Sequence, residues 1–362
     1  MIKMICKVLL NKDCATVTNS IHKSSYSSSS ALIPGSKDIL PGVSKSGPFG
    51  VGFLIYQRKA IMPLHKQKIN ILEIKGNSLD DGPGIRTLIF FKGCPLSCVW
   101  CHNPESKSFQ TQISFDPKVC IYCNDCINIC KENALSRDNP FFIDRNLCTL
   151  CFQCVEDCPS EALTSVGKQL DIDDIILEIE KDMPFFQTSN GGVTFSGGEP
   201  TFQMDALSAL AKTCKEKGIN TLLETCGLFK WEDFQNKILP YMNIIYYDIK
   251  IMNTKAHEKY CGVDNQLILN NFEKLVSAIS NTDVKLLPRT PLVPNITATT
   301  ENIKAIANYV KKLNIPHLQL MEYNPLWLEK NFKIGVTNPY VQSKEMSQWM
   351  KQEDVKKFLS YV

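Results

Sequence analysis

The stretch Arg86-Thr87-Leu88-Ile89-Phe90-Phe91-Lys92-Gly93-Cys94-Pro95-Leu96-Ser97-Cys98-Val99-Trp100-Cys101-His102 runs from an apolar segment straight into a cysteine loop. Arg86 to Lys92 is short, rich in β-branched and aromatic residues and closed by Gly93 and Pro95, which predicts a strand. Behind it Cys94, Cys98 and Cys101 stand at C-x3-C-x2-C spacing. Three thiolates on one tight loop can hold three corners of a 4Fe-4S cube and leave the fourth iron open for chemistry. A zinc-binding or redox-inert triplet is the other reading of these positions taken alone.

Further strand patterns follow at Gly192 to Ser196, Asn220 to Glu224, Ile244 to Lys250, Val284 to Pro288 and His317 to Tyr323. Between them Met204, Leu207, Leu210, Ala211 and Cys214 mark one helix face, Phe272, Leu275, Val276 and Ile279 a second, and Ile303, Ile306, Ala307 and Val310 a third. Six strands separated by helices imply an α/β fold with a parallel sheet and right-handed crossovers. A cysteine-dense stretch, 113–165, interrupts this order and reads as an inserted small domain. Without it and without residues 1–68, about 240 residues remain, the size of a (β/α) barrel, complete or partial. The expected parts are an extension (1–68), a first barrel segment (69–112), the insert (113–165) and the remainder of the barrel (166–362).

Within the insert, Cys120, Cys123, Cys126 and Cys130 are spaced C-x2-C-x2-C-x3-C, and Cys148, Cys151, Cys154 and Cys158 repeat the spacing ahead of Pro159. In this bacterial ferredoxin pattern three thiolates hold one cube and the fourth crosses to the other. Cys120, Cys123, Cys126 and Cys158 are therefore assigned to one cluster, and Cys148, Cys151, Cys154 and Cys130 to the second. Zinc sites use paired units set further apart, and disulfides at intervals this short would be strained. Electron transfer is the function two such clusters serve.

The 362 residues include 40 Lys+Arg and 37 Asp+Glu, for a net charge of +3, so no broad field marks the chain for nucleic acid or an anionic membrane. The apolar runs are strand-length, and no membrane span is expected. Residues 1–68 are Ser-rich and acid-poor, with Asp13 the one acidic residue among the first 37, and they read as a targeting presequence, a disordered extension or a mispredicted start. Sixteen cysteines call for a reducing, preferably anoxic compartment. Cytoplasm is the default, with a mitochondrion-like organelle or plastid if the extension is a transit peptide.

Ser196-Gly197-Gly198-Glu199-Pro200 follows the second strand, where glycines let the backbone approach a ligand and Glu199 offers a carboxylate to an ammonium. Asp248-Ile249-Lys250 ends the fourth, its period of two aiming Asp248 and Lys250 to one side. With Asp81-Gly82-Pro83-Gly84-Ile85-Arg86-Thr87, the cysteine loop and Trp100-Cys101-His102-Asn103-Pro104-Glu105-Ser106, these motifs resemble the glycyl-radical-enzyme activating enzymes of the radical S-adenosylmethionine (SAM) superfamily. The likeness, pyruvate formate-lyase activase-like with a two-cluster insert, covers roughly residues 70 to 325.

That resemblance implies a partial (β/α)6 TIM-like barrel with an inserted ferredoxin-like domain holding two 4Fe-4S clusters. It implies an oxidoreductase with three 4Fe-4S clusters that reductively cleaves SAM to methionine and a 5′-deoxyadenosyl radical, which takes a Cα hydrogen from a glycine of a partner glycyl radical enzyme. Cys94, Cys98 and Cys101 would hold the catalytic cluster. Trp100, Cys101 and His102 would lie along the adenosyl portion, Gly197, Gly198 and Glu199 at the methionine amine, and Asp248, Ile249, Lys250 and Arg289 around SAM. Glu224, Thr225 and Asp248 would be candidates for a monovalent cation near the SAM carboxylate. The insert would relay electrons from flavodoxin or ferredoxin, or dock the partner, in a chain acting as a monomer.

One departure lies after the last strand, where pyruvate formate-lyase activases place a His and this chain has Asn324, which hydrogen-bonds but carries no proton charge. The SAM contact is expected to persist, pyruvate formate-lyase is disfavoured as the partner, and which glycyl radical enzyme is activated stays open in the sequence. Of the remaining cysteines, Cys214 is expected in the core, while Cys226 and Cys261 have no role legible in sequence. The competing readings are an iron-sulfur electron carrier on a non-catalytic barrel and a radical SAM enzyme acting on a small molecule.

Overall fold

The computed structural model describes residues 67–362. Among them the strands are β1 (Lys68–Ser78), β2 (Arg86–Phe91), β3 (Gln112–Phe115), β4 (Leu163–Val166), β5 (Lys168–Asp171), β6 (Gly192–Gly197), β7 (Asn220–Thr225), β8 (Ile244–Asp248), β9 (Lys285–Pro291) and β10 (Gln319–Met321). The helices are α1 (Asp125–Ile129), α2 (Gln153–Glu156), α3 (Ile172–Glu180), α4 (Met183–Ser189), α5 (Met204–Glu216), α6 (Trp231–Lys237), α7 (Thr254–Cys261), α8 (Gln266–Ile279), α9 (Thr300–Lys312), α10 (Trp327–Lys333) and α11 (Gln352–Leu359). The extension read from residues 1–68 lies, but for its last two positions, outside the described residues.

Eight strands form one open sheet in the order β10-β9-β8-β7-β6-β2-β1-β5. From β2 to β10 all pairs are parallel, and these are the six strands expected from sequence. β1 and β5 add an antiparallel edge beyond β2 that the periodicity does not announce. Polar residues from Asn70 to Asn77 and two register shifts against β2 break the alternation that would reveal β1.

Alternation divides the work of each parallel strand. Ile89 and Phe91, Val193 and Phe195, and Ile245 and Tyr247 enter the main core, where they meet Leu207, Leu210 and Cys214 of α5 and Phe272 and Leu275 of α8. The intervening positions carry Arg86, Thr194, Glu224 and Asp248. At the N-terminal end of the sheet the fully buried Arg86 donates to Thr194 Oγ1 (2.7 Å), Val193 O (2.6 Å) and Asn220 Oδ1 (3.2 Å). The Asp81–Thr87 motif is thus structural, at the end opposite the cysteines.

β3 pairs with β4, Gln112 opposite Val166 and Phe115 opposite Leu163, so the chain between leaves and returns through one strand pair. That segment has its own apolar cluster, with Phe115 stacked on Phe142 at 4.2 Å. α10 links it to the rest, through Lys118–Glu329 (2.8 Å) and Lys333–Asp116 (2.7 Å) on one side and Lys330–Glu105 (2.8 Å) on the other. Among the described residues no helix is long and apolar enough to cross a membrane.

Candidate active site

The cysteine loop leaves the C-terminal end of β2, the end of a parallel sheet where ligands bind. It is pinned from several sides. Gly93 N donates to Ser106 O (2.7 Å), Cys94 N to Lys107 O (3.1 Å), Ser97 N to Cys261 O (2.8 Å) and Val99 N to Tyr260 O (3.0 Å). Lys107 Nζ and Asn338 Nδ2 close on the carbonyls of Cys98 and Val99, both at 2.8 Å. Burial, with Glu199 nearby, raises the Cys94 thiol, and burial raises Cys101 to about 11. The neighbouring Cys261 thiol, aided by Lys250 and Lys107 against burial, lowers Cys98.

Gly197 and Gly198 end β6 where it crosses this loop: β-carbons there would lie 2.4 Å from Phe91 N and 2.3 Å from Gly93 O. The glycines therefore deliver Glu199 to the cysteines, and Glu199 N donates to Gly93 O (2.9 Å). Glu199 is buried, yet satisfied. Its Oε1 accepts from Thr201 N (3.1 Å), Thr201 Oγ1 (2.7 Å) and Thr225 Oγ1 (2.9 Å), and its Oε2 from Cys226 N (2.7 Å). Oε2 thus keeps capacity for one more donor.

Beside it four charges from three strands form a chain. Arg289 gives Nε and Nη2 to Asp248 Oδ1 (3.0 and 2.9 Å) and Nη1 to Glu224 Oε1, and Lys250 Nζ reaches Asp248 Oδ2 at 2.9 Å. Burial works against the charge of all three groups, Asp248, Lys250 and Arg289, but the mutual attraction leaves Asp248 below its ordinary value and Lys250 and Arg289 above theirs. Two carboxylates thus face two cations, and Thr225 Oγ1 donates to Glu199 Oε1.

Ile249 is the member of its motif that turns away: its side chain joins the main core, and its N donates to Arg289 O (2.9 Å). Trp100 packs among Leu96, Ile251 and Trp327 under the loop, backing the cysteines. Asn324 Oδ1 accepts from Leu326 N (3.0 Å), and burial, with Lys330 nearby, lowers the His102 imidazole. Cys226 and Cys261, unassigned by sequence, are buried against the same loop. Only spatial folding brings α7 there, so no local signal marks them. Cys214 is in the core, as expected.

The insert carries two small clefts partly open to solvent, one lined by Cys120, Cys123, Cys126 and Cys158 and the other by Cys130, Cys148, Cys151 and Cys154. The fourth cysteine of each run faces the cavity of the other.

Residues 80–269 match the family described as a 4Fe-4S single cluster domain. The trans-4-hydroxy-L-proline dehydratase activating enzyme of Clostridioides difficile is 39% identical over 73% of this chain and 87% of its own length. The choline trimethylamine-lyase activating enzyme of Oleidesulfovibrio alaskensis is 35% identical over 76% and 89%, and the (2S)-3-sulfopropanediol dehydratase activating enzyme of Klebsiella oxytoca 38% over 75% and 86%. With its cysteine loop at the carboxyl end of a six-stranded parallel array, this chain belongs to the glycyl-radical-enzyme activating enzymes of the radical SAM superfamily, which use SAM to take a hydrogen from a glycine of a partner enzyme.

Proposed function

We propose that Cys94, Cys98 and Cys101 hold the catalytic 4Fe-4S cluster and that SAM lies between it and the Glu199 and Asp248–Lys250–Arg289 groups. The donor set fits: three thiols of one loop, fixed by backbone bonds, at the end of the sheet where Glu199 has one carboxylate position to spare. A cluster held by these three thiols would supply the electron for splitting SAM into methionine and the 5′-deoxyadenosyl radical that takes a glycine Cα hydrogen. Glu199 Oε2 receives the methionine ammonium. Lys250, held through one proton by Asp248, offers its others to the carboxylate. Arg289 fixes Asp248 and Glu224 and does no proton transfer. His102 and Asn324 border the adenosyl side, and the apolar packing of Leu96, Trp100 and Trp327 keeps water from beneath the loop.

The insert is read as a ferredoxin-like domain with two clusters, for a total of three. The cross-paired lining of its two cavities supports this. Held there, the two clusters would relay electrons from a flavodoxin or ferredoxin toward Cys94, Cys98 and Cys101, or the insert would dock the partner. The protein acts as a monomer in a reducing compartment, the cytoplasm by default, on a glycyl radical enzyme.

The observation that carries the reading is the seating of the three cysteines against Glu199 at one sheet end. Anoxically reconstituted protein given SAM and dithionite should form 5′-deoxyadenosine, and Cys98→Ala should not. Protein loaded with all three clusters that forms none would favour the electron-carrier reading.

A further inference from the structure

The two cysteine runs of the insert are copies of one pattern, but their surroundings differ, and one of the differences falls directly on a sulfur. Cys120, Ala134, Leu135 and Arg137 of the first run correspond to Cys148, Ala162, Leu163 and Ser165 of the second. Arg137 is aimed at the first cavity, with Nη1 and Nη2 at 3.5 and 3.7 Å from Cys120 Sγ. Its Nε and Nη2 also donate to Asn124 Oδ1, at 3.2 and 3.1 Å. The guanidinium lies over the rings of Tyr122 (4.6 Å) and Phe142 (4.8 Å). Two ring faces and an amide oxygen hold it, so an exposed side chain becomes a fixed donor.

Ser165 turns its hydroxyl to Gly167 O instead, at 3.4 Å. Around the second cavity the described residues give sulfur one backbone donor, Ala134 N to Cys130 Sγ at 3.3 Å. Arg145 contributes charge near Cys148 but gives Nη1 to Ile113 O (2.6 Å) and makes no hydrogen bond to sulfur.

We propose that Arg137 raises the reduction potential of the cluster held by Cys120, Cys123, Cys126 and Cys158 above that of its twin, making it the place where an incoming electron rests. This depends on the two-cluster reading given above. Adding one electron makes the thiolates more negative, so a cation donating N–H groups to one of them stabilises the reduced form more than the oxidised. The step is a one-electron reduction by a flavodoxin- or ferredoxin-class donor; no bond breaks and no proton is transferred.

The test is a reductive titration of the fully loaded protein followed by electron paramagnetic resonance, in which the catalytic cluster is recognised by its response to SAM. Two further steps are expected. Arg137→Met, which keeps the stem between the rings, should move the higher step downward, with a several-fold fall in the reduced-to-oxidised ratio at the parent's midpoint, and leave the lower step in place. Unmoved steps in Arg137→Met at full iron content would overturn the proposal. Parent protein binding iron for one cluster alone would overturn the two-cluster reading and this proposal with it, a failure the iron count reveals before any titration.

Discussion

Gly262 lies so close to Ser97 that a β-carbon on it would sit 2.0 Å from the Ser97 hydroxyl oxygen. Its φ of +87° is a conformation that favours glycine, and the amides of Ser97 and Val99 bond to the neighbouring carbonyls of Cys261 and Tyr260. The end of α7 is therefore the template on which the cysteine loop is laid. Gly262→Ala should displace the loop and lower the iron retained after anoxic reconstitution. Gly218→Ala is the control, with φ +72° but nothing within 4 Å of the added carbon. It should lose about 1 kcal/mol of stability and keep its iron. Equal iron loss in both variants would refute the template role.

Arg289 is shared by Glu224 and Asp248, with side chains 10%, 17% and 17% exposed. Removing it as Arg289→Met leaves two partly buried carboxylates with Lys250 alone, and should cost about 3–5 kcal/mol, measured by chemical denaturation. Burial raises Asp248, but Arg289 and Lys250 hold it below its ordinary value of 3.8. A depressed carboxyl contributes stability above its unfolded pKa and loses it as pH falls through the folded one. The parent should keep this contribution until pH drops below 3.8, whereas the acid limb of Arg289→Met should begin at higher pH. Superimposable acid limbs would contradict the assignment.

Lys92 is fully buried and meets three neutral acceptors, Glu105 O (2.8 Å), Ser108 O (3.0 Å) and Gln112 Oε1 (3.3 Å). Burial lowers its pKa from 10.5 to about 8, with Glu105 opposing in part. Between those values the folded state holds fewer protons than the unfolded one, so the group's contribution to stability rises with pH across that window. Lys92→Met should lose this rise. Denaturation midpoints followed from about pH 7 to 10.5, with parent and variant running parallel, would show that Lys92 is not strained by its charge.

How far the chain was legible depended on whether a residue's partners were local. Phe91, Val193 and Tyr247 declare their strands through alternation, and the cysteine runs declare themselves through spacing. Glu199 and Lys250 were found through short motifs at strand ends. Ile249, from the same motif as Lys250, instead faces the core, because a period of two must send it to the opposite side. Gly262, Cys261 and Cys226 could not be found this way. They reach the loop through α7 and the end of β7, and no sequence interval encodes that meeting. β1 was hidden because its register shifts break the pattern that marks a strand.

The lining of the insert's cavities gives a result that chain order alone would reverse. Cys130 closes the first run, yet it lines the cavity of Cys148, Cys151 and Cys154, while Cys158 lines that of Cys120, Cys123 and Cys126. With the iron held by cross-paired thiols, loss of Cys158 should remove the same spectroscopic species as loss of Cys120, and loss of Cys130 the same as loss of Cys148. Serine variants of the four, compared by iron content and low-temperature paramagnetic resonance after reduction, separate the cases. If Cys158→Ser instead matched Cys148→Ser, each run would bind its own cluster, and the cavities would have been misread. The pairing also has a mechanical consequence. Clusters held in this way would tie the two runs together, so loss of Cys130 or of Cys158 should raise the proteolytic sensitivity of the whole insert and not of one half.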